Sequence, residues 1–297
     1  MFKPLVAVKS VSLEVFPNEA YGFLGHNGAG KTTTIKCIVG LAKRNGGQIY
    51  LEGKPLESSK QHEIIGYLPE HPYFYEHLGV RETLEFFASL HGLSGAERSK
   101  RVSEMLELVG LEFKSKSPVK ALSKGLQQRL GMAQAIINRP KLLILDEPFS
   151  GLDPLGRKEI RELILKLKEQ GTTIFMSSHI LADVEDICDR VCIIADGEMK
   201  STFHIAEVPE KFGEQLELKI AKLETDANLQ EQLNKLSIQT SVEPTSQGAV
   251  HSFKFDNYET AKQAMNIALG SAAQVRAFTS GAASLEDIFM EVTGEVR

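Results

Sequence analysis

A chain of 297 residues, 42% hydrophobic and 25% charged with a net charge of −5, has the composition of an ordinary soluble globular protein and the length of two domains rather than one. No signal peptide opens it and no apolar run approaches the roughly eighteen residues of a membrane span, so it is not expected to cross a membrane by itself. From Ile205 onward the chain carries eight Lys/Arg against fourteen Asp/Glu, and the first 204 residues carry 26 against 25; neither part is a basic surface, and nucleic acid is not an expected partner.

In chain order, Val11, Leu13 and Val15 alternate with polar residues, which predicts a half-buried strand over Ser10–Phe16. Pro17–Glu19 is a turn and Ala20–Leu24 a short buried strand. The next stretch, Gly25-His26-Asn27-Gly28-Ala29-Gly30-Lys31-Thr32, fits the phosphate-binding pattern G-x-x-x-x-G-K-[ST] at every fixed position. Glycines let the backbone wrap closely around phosphates. Lys31 neutralises β/γ-phosphate charge, and the Thr32 hydroxyl can ligate Mg²⁺. A helix, Thr33–Val39, then aims its positive N-terminus at the same anion. Such a match arises by accident in about one chain in a hundred of this length. The plainer alternative, a glycine-rich turn before an ordinary helix, is weakened further by the strand–loop–helix order.

Asn45–Gly47 reads as a hairpin-type turn before a strand at Gln48–Leu51, and Ile64–Leu68 as a strand before Pro69-Glu70-His71-Pro72. Helices follow at Val80–His91, Ala96–Val109 and Leu126–Ile137, a helical block over about 80 to 137. Leu142–Leu145 is a continuous apolar run, the mark of a buried parallel strand. Helix Arg157–Glu169, strand Thr172–Met176, helix Ile180–Cys188 and strand Arg190–Ala195 continue a parallel α/β sheet. Beyond about 205 the order is strand 216–220, helix 225–236, strands 237–242 and 249–255, helix 257–269 and strand 274–279. That is a ferredoxin-like β-α-β-β-α-β series, closed by a helix Ser284–Val292. Cys37, Cys188 and Cys192 make no disulfide framework and read as core residues of a reducing compartment, with metal binding a poor second.

A second chemical cluster ends the apolar run. Asp146 and Glu147 stand at the C-terminal end of a buried strand, where α/β sheets build their sites. Asp146 is placed to hold Mg²⁺ directly or through water, and Glu147 to polarise an attacking water. Alone, two solvated acids at a strand end would explain the pair; after a phosphate loop in the same chain they become its partner.

Together these motifs resemble the nucleotide-binding subunit of an ATP-binding cassette (ABC) transporter, over about residues 1–205. The resemblance implies an α/β P-loop NTPase core with a β-subdomain and the helical block inserted, residues 206–297 being an accessory α+β domain. The family signature Leu-Ser-Gly-Gly-Gln stands here as Leu122-Ser123-Lys124-Gly125-Leu126. Ser123 and Gly125 keep the hydroxyl and the bare backbone that bind the γ-phosphate of a nucleotide held by another subunit. Ser150-Gly151-Leu152-Asp153 matches the loop crossing the dimer interface, and His179 the switch histidine. Glu70 replaces the usual Gln and is expected to keep its coupling role as a third oxygen ligand for Mg²⁺. The family's adenine-stacking ring falls on Phe2, which stands either there or as a simple terminal residue. The strand that usually precedes it is lacking, because the chain starts downstream of its natural beginning or because the strand does not exist. The aromatics of Pro72-Tyr73-Phe74-Tyr75 either line the groove that receives a membrane subunit or pack inside the helical block.

The implied function is ATP hydrolysis with Mg²⁺, by a homodimer or heterodimer at the cytoplasmic membrane face, driving export through a multi-span permease subunit. Lys31, Glu147 and His179 form the implied catalytic set, residues 25–33 with Ser123, Gly125 and Asp153 the ATP contacts, and Thr32, Asp146 and Glu70 the metal ligands. The alternatives are a regulatory or assembly ATPase of the same fold and a cassette that binds ATP without turnover; the presence of Glu147 and His179 disfavours the latter.

Overall fold

Apolar runs that cannot face water on either side build the centre of the first unit, Met1–Ile205. Its elements begin with β1 (Ala20–Leu24), α1 (Lys31–Ile38), β2 (Tyr50–Leu51), β3 (Lys54–Pro55) and β4 (Ile65–Leu68). The helices α2 (Val80–Leu90), α3 (Gly95–Leu108) and α4 (Lys124–Ala135) follow. Next come β5 (Leu142–Asp146), α5 (Pro154–Glu169), β6 (Thr173–Ser178), α6 (Leu181–Ile187), β7 (Arg190–Ala195) and β8 (Glu198–His204). The computed structural model describes residues 6–56, 63–208, 214–221, 227–245, 248–271, 273–282 and 285–294. Among them no helix is long and apolar enough to cross a membrane.

The main sheet has the order β4–β5–β6–β1–β7–β8, parallel from β4 to β7, with β8 antiparallel at the edge. Every residue of β1 is buried, as is β5 after Leu142. Because β4, β5, β6 and β1 are parallel neighbours, their C-terminal ends open on the same edge. That edge receives Glu70, the Asp146–Glu147 pair, His179 and the phosphate loop.

The helical block is tied together by Arg101 on α3. Its guanidinium donates to the carbonyls of Ile137 (2.9 Å) and Ile136 (2.6 Å), which end α4. Gly66 of β4 lets α4 lie close, since a Cβ there would stand 2.1 Å from the Ala135 carbonyl.

Three expectations are corrected. Ser10–Phe16 is not a strand: within that stretch only Ser10 forms a bridge, to Glu198. Val11, Leu13 and Val15 do pack against the cluster of Tyr21, Phe23, Ile144 and Phe175, so their alternation reports facing, not pairing. The expected turn at Asn45–Gly47 is displaced too. The ribbon pairs β2 with β3 around Glu52 (φ 52°) and Gly53 (φ 73°), two left-handed residues that suit a two-residue hairpin. Cys37 is half-buried on α1, whereas Cys188 and Cys192 are buried in the core.

The second unit, Ala206–Arg297, contains β9 (Glu214–Ala221), α7 (Ala227–Leu236), β10 (Gln239–Thr245), β11 (Gly248–Phe255), α8 (Tyr258–Leu269), β12 (Gln274–Ala282) and α9 (Leu285–Thr293). Its antiparallel sheet runs β10–β11–β9–β12, a ferredoxin-like order. Leu216, Leu218, Ile220, Phe253 and Phe255 form one core with Leu229 and Leu233 of α7 and Ala261, Ala264 and Ala268 of α8.

Candidate nucleotide site

β1 delivers the chain to Gly25, where a Cβ would lie 2.5 Å from the Ile194 carbonyl; at Gly30 (φ 107°) it would lie 2.6 Å from that of Ala7. Both fixed glycines are therefore demanded by the protein's own backbone. Between them His26 is half-buried, Asn27 and Gly28 (φ 86°) are exposed, and Ala29 is buried. The Ala29 amide donates to the His26 carbonyl at 3.2 Å and the Ala29 carbonyl accepts from Gly197 at 3.0 Å, which fixes the loop from both sides. Thr33 lies half-buried in the first turn of α1.

The Lys31 ammonium, 6% exposed, donates to the carbonyls of Gly25 (2.7 Å) and His26 (3.3 Å) and lies 3.1 Å from Glu147 Oε1. That oxygen is buried with no hydrogen-bond partner, so Lys31 meets it as an ion pair without hydrogen-bond alignment. Glu147 Oε2 lies 2.8 Å from His179 Nδ1. An ionised carboxylate only accepts, so it selects the tautomer protonated on Nδ1 and leaves Nε2 as an acceptor. Glu147 has φ 49°, a left-handed turn that a non-glycine residue adopts at a cost of about 1–2 kcal/mol and that breaks the strand at its carboxylate.

Asp146, 1% exposed, accepts from Thr32 Oγ1 (3.2 Å) and Ser177 Oγ (2.7 Å). Ser177 in turn accepts from the Glu147 amide at 3.0 Å. Sequence reasoning missed Ser177; its only trace is a hydroxyl pair, Ser177-Ser178, ending an apolar strand. Burial holds the Asp146 carboxyl above its ordinary value. The two hydroxyl donors pull it down, while the charges of Glu147 and Glu70 push it up again. A raised carboxyl favours the fold below its unfolded pKa, and this contribution is lost as pH rises through the raised folded value. Asp146→Asn keeps the acceptor and removes the charge. It is expected to raise stability at neutral pH by about 1 kcal/mol, a few degrees in thermal midpoint, and to flatten the pH dependence in that window. Thermal melts of both proteins without nucleotide check this.

Thr32 and Asp146 are brought together directly; Glu70 is not joined to them but accepts from Ser150 Oγ at 3.1 Å. Ser123 caps α4, accepting from the Leu126 amide at 3.4 Å, and is exposed. A Cβ on Gly125 would meet only Leu152, at 3.8 Å, so nothing described in this chain requires glycine there. Among the described residues neither Ser123 nor Gly125 hydrogen-bonds the phosphate loop of its own chain. Asp153 caps α5, accepting from the Gly156 amide at 2.8 Å. Buried Gln128 donates to the Pro148 carbonyl at 3.0 Å and fixes α4 to the segment after the carboxylates. Of the aromatic stretch, Phe74 is buried while Tyr73 and Tyr75 are exposed, Tyr75 meeting Phe86 edge-on at 5.6 Å. Phe2 lies outside the described residues.

The donors fit Mg²⁺: a buried carboxylate and a hydroxyl, oxygen only. No group of three or more His, Cys, Asp or Glu among the described residues makes a metal cage by itself.

A parallel sheet that gathers a phosphate loop, an Asp-Glu pair and a histidine on one edge defines an ATP-binding cassette, a P-loop NTPase. The chain belongs to the family of ABC transporter ATP-binding proteins. The ABC transporter family model matches residues 8–150. An uncharacterized ABC transporter ATP-binding protein of Synechocystis is 49% identical over 210 residues, 70% of this chain and 59% of the relative, so the match spans about three-fifths of that protein. An uncharacterized one of Bacillus subtilis is 35% identical over 96% of this chain and 94% of its own length. The bacitracin transport ATP-binding protein of Bacillus licheniformis is 40% identical over 78% of this chain and 76% of its own. Among solved structures, a dimeric ATP-binding cassette in a post-hydrolysis state with ADP and Pi superposes with a TM-score of 0.62 at 27% identity, over 67% of this chain and 90% of that one.

Proposed function

We propose that this chain is the ATP-hydrolysing subunit of an exporter. It works as one of a pair of cassettes at the cytoplasmic membrane face and drives a separate multi-span membrane subunit. The observation that carries the reading is the Glu147 carboxylate held between the Lys31 ammonium and the His179 imidazole, beside the phosphate loop. The amides of residues 27–33 and Lys31 stabilise charge on the transferred phosphoryl group. Glu147 orients or deprotonates the attacking water, and His179 Nε2 is free to accept from that water. Thr32, Asp146 and, after reorientation, Glu70 would hold Mg²⁺, which supplies further neutralisation of phosphate charge.

Ser123 and Gly125 complete the site from the second subunit. They are exposed or half-exposed, and among the described residues nothing crowds the position of a Cβ on Gly125 closer than 3.8 Å. Exposed Tyr73 and Tyr75, just past Glu70, suit contact with the membrane subunit. The bacitracin relative is named a transport ATP-binding protein, which supports transport as the work done. The test is gentle purification from membranes with measurement of ATP turnover. A multi-span membrane protein should accompany an active ATPase. Only soluble or ribosomal partners would sink the transport reading, and absent turnover the enzymatic one.

A further inference from the structure

The loop Ser150–Asp153 is anchored at both ends inside its own chain. The Ser150 amide donates to the Glu147 carbonyl at 3.0 Å, and Asp153 caps α5. One side chain leads elsewhere: Ser150 Oγ reaches across eighty positions of sequence to donate to Glu70 Oε1 at 3.1 Å. Glu70 is the residue for which the proposed function has a second use, as an oxygen ligand for a divalent cation. Its charge already reaches Asp146, whose acidity it weakens.

We propose that Ser150 is a positioning residue that holds Glu70 away from the metal end of the site, and that a divalent cation bound with nucleotide takes Glu70 from it, freeing the Ser150 hydroxyl while the loop keeps its backbone anchors. The inference rests on the reading of Glu70 as a cation ligand.

The chemistry favours this exchange. A hydroxyl bonded to a carboxylate makes a charge-assisted bond, roughly twice as strong as one to a neutral amide. A glutamate at position 70 therefore strengthens the Ser150 contact, and it strengthens ligation of a hard cation more, because full opposite charges then meet. Both contacts draw on one carboxylate, so cation binding and the Ser150 side-chain contact compete. The loss of this contact would be felt at the face offered to the second subunit. Gly151 (φ 65°) has the Lys124 ammonium 2.0 Å from where its Cβ would stand, and Lys124 lies between Ser123 and Gly125.

The experiment uses the full chain carrying Glu147→Gln, so that turnover does not intrude. It follows binding of a fluorescent ATP analogue, and dimer formation by light scattering, against Mg²⁺ concentration. Adding Ser150→Ala should lower the Mg²⁺ midpoint about five- to tenfold, because the competing bond is gone. Ser150→Thr, which keeps the hydroxyl, should restore the original midpoint. Glu70→Gln should raise the midpoint, and on that background Ser150→Ala should have a much smaller effect. A midpoint that moves with Glu70→Gln but not with Ser150→Ala overturns the latch while leaving Glu70 a ligand. A midpoint indifferent to Glu70→Gln removes the ligand reading, and the proposal with it.

Discussion

Glu147→Gln is expected to cut ATP turnover about a thousandfold while ATP binding stays intact and an ATP-bound dimer accumulates. A positioned general base contributes about 10² to 10⁴ in rate, and glutamine cannot take a proton from water. Its amide is nearly the same size as the carboxylate, so the left-handed turn at residue 147 and the Ser177 bond to its amide persist. The change also removes the negative partner of Lys31. Among the described residues the ammonium then has only two loop carbonyls to leave when a γ-phosphate arrives, so affinity for ATP should hold or rise. Phosphate release gives the rate, and sedimentation with ATP gives the dimer. Turnover at the normal rate would remove Glu147 from the catalytic role.

Much of this site was legible because its parts are local. Gly25–Thr32 and Leu142–Glu147 each carry their chemistry within eight consecutive residues, and each is framed by an apolar strand that periodicity detects. What was not legible depends on partners distant in sequence. Ser177 matters because β6 lies beside β5 and sets its hydroxyl against both Asp146 and the Glu147 amide; nothing in Phe175-Met176-Ser177-Ser178 names that neighbour. Ser10–Phe16 has the alternation of a strand, but alternation records which side is buried and not whether an adjacent chain offers hydrogen bonds. β8 was missed for a different reason. Asp196 (φ 53°) and Gly197 (φ 75°) form a two-residue turn directly after β7, and Asp-Gly is a strong hairpin signal. The strand after it, half-exposed at a sheet edge, has too weak an apolar pattern to be found alone. Glu70 shows a further limit: its carboxylate announces a possible ligand, but only the fold reveals that a serine eighty residues away holds it.

Complementation between two inactive variants tests whether the site is divided between subunits. Lys31→Met removes the cation proposed to meet the phosphates. Ser123→Arg places a long side chain on the exposed cap of α4, where the second subunit's nucleotide would sit. Each variant alone is expected to lose about a hundredfold or more of turnover, since every site it builds carries the same defect. Mixed, they pair at random. Half the dimers are then hybrid, and each hybrid has one doubly defective site and one assembled from the intact halves. Turnover should recover to about a quarter of the unmodified value if sites act independently. Phosphate release across a series of mixing ratios is the readout, with a maximum at equal amounts. The expectation follows from the geometry of one chain: Lys31, Glu147 and His179 are joined by direct contacts, whereas Ser123 and Gly125 make no described hydrogen bond to that loop. A site completed within one chain predicts no recovery at any ratio. An obligate pairing with a different cassette predicts that the chain alone has little turnover to recover, and that adding the partner, not the second variant, restores it.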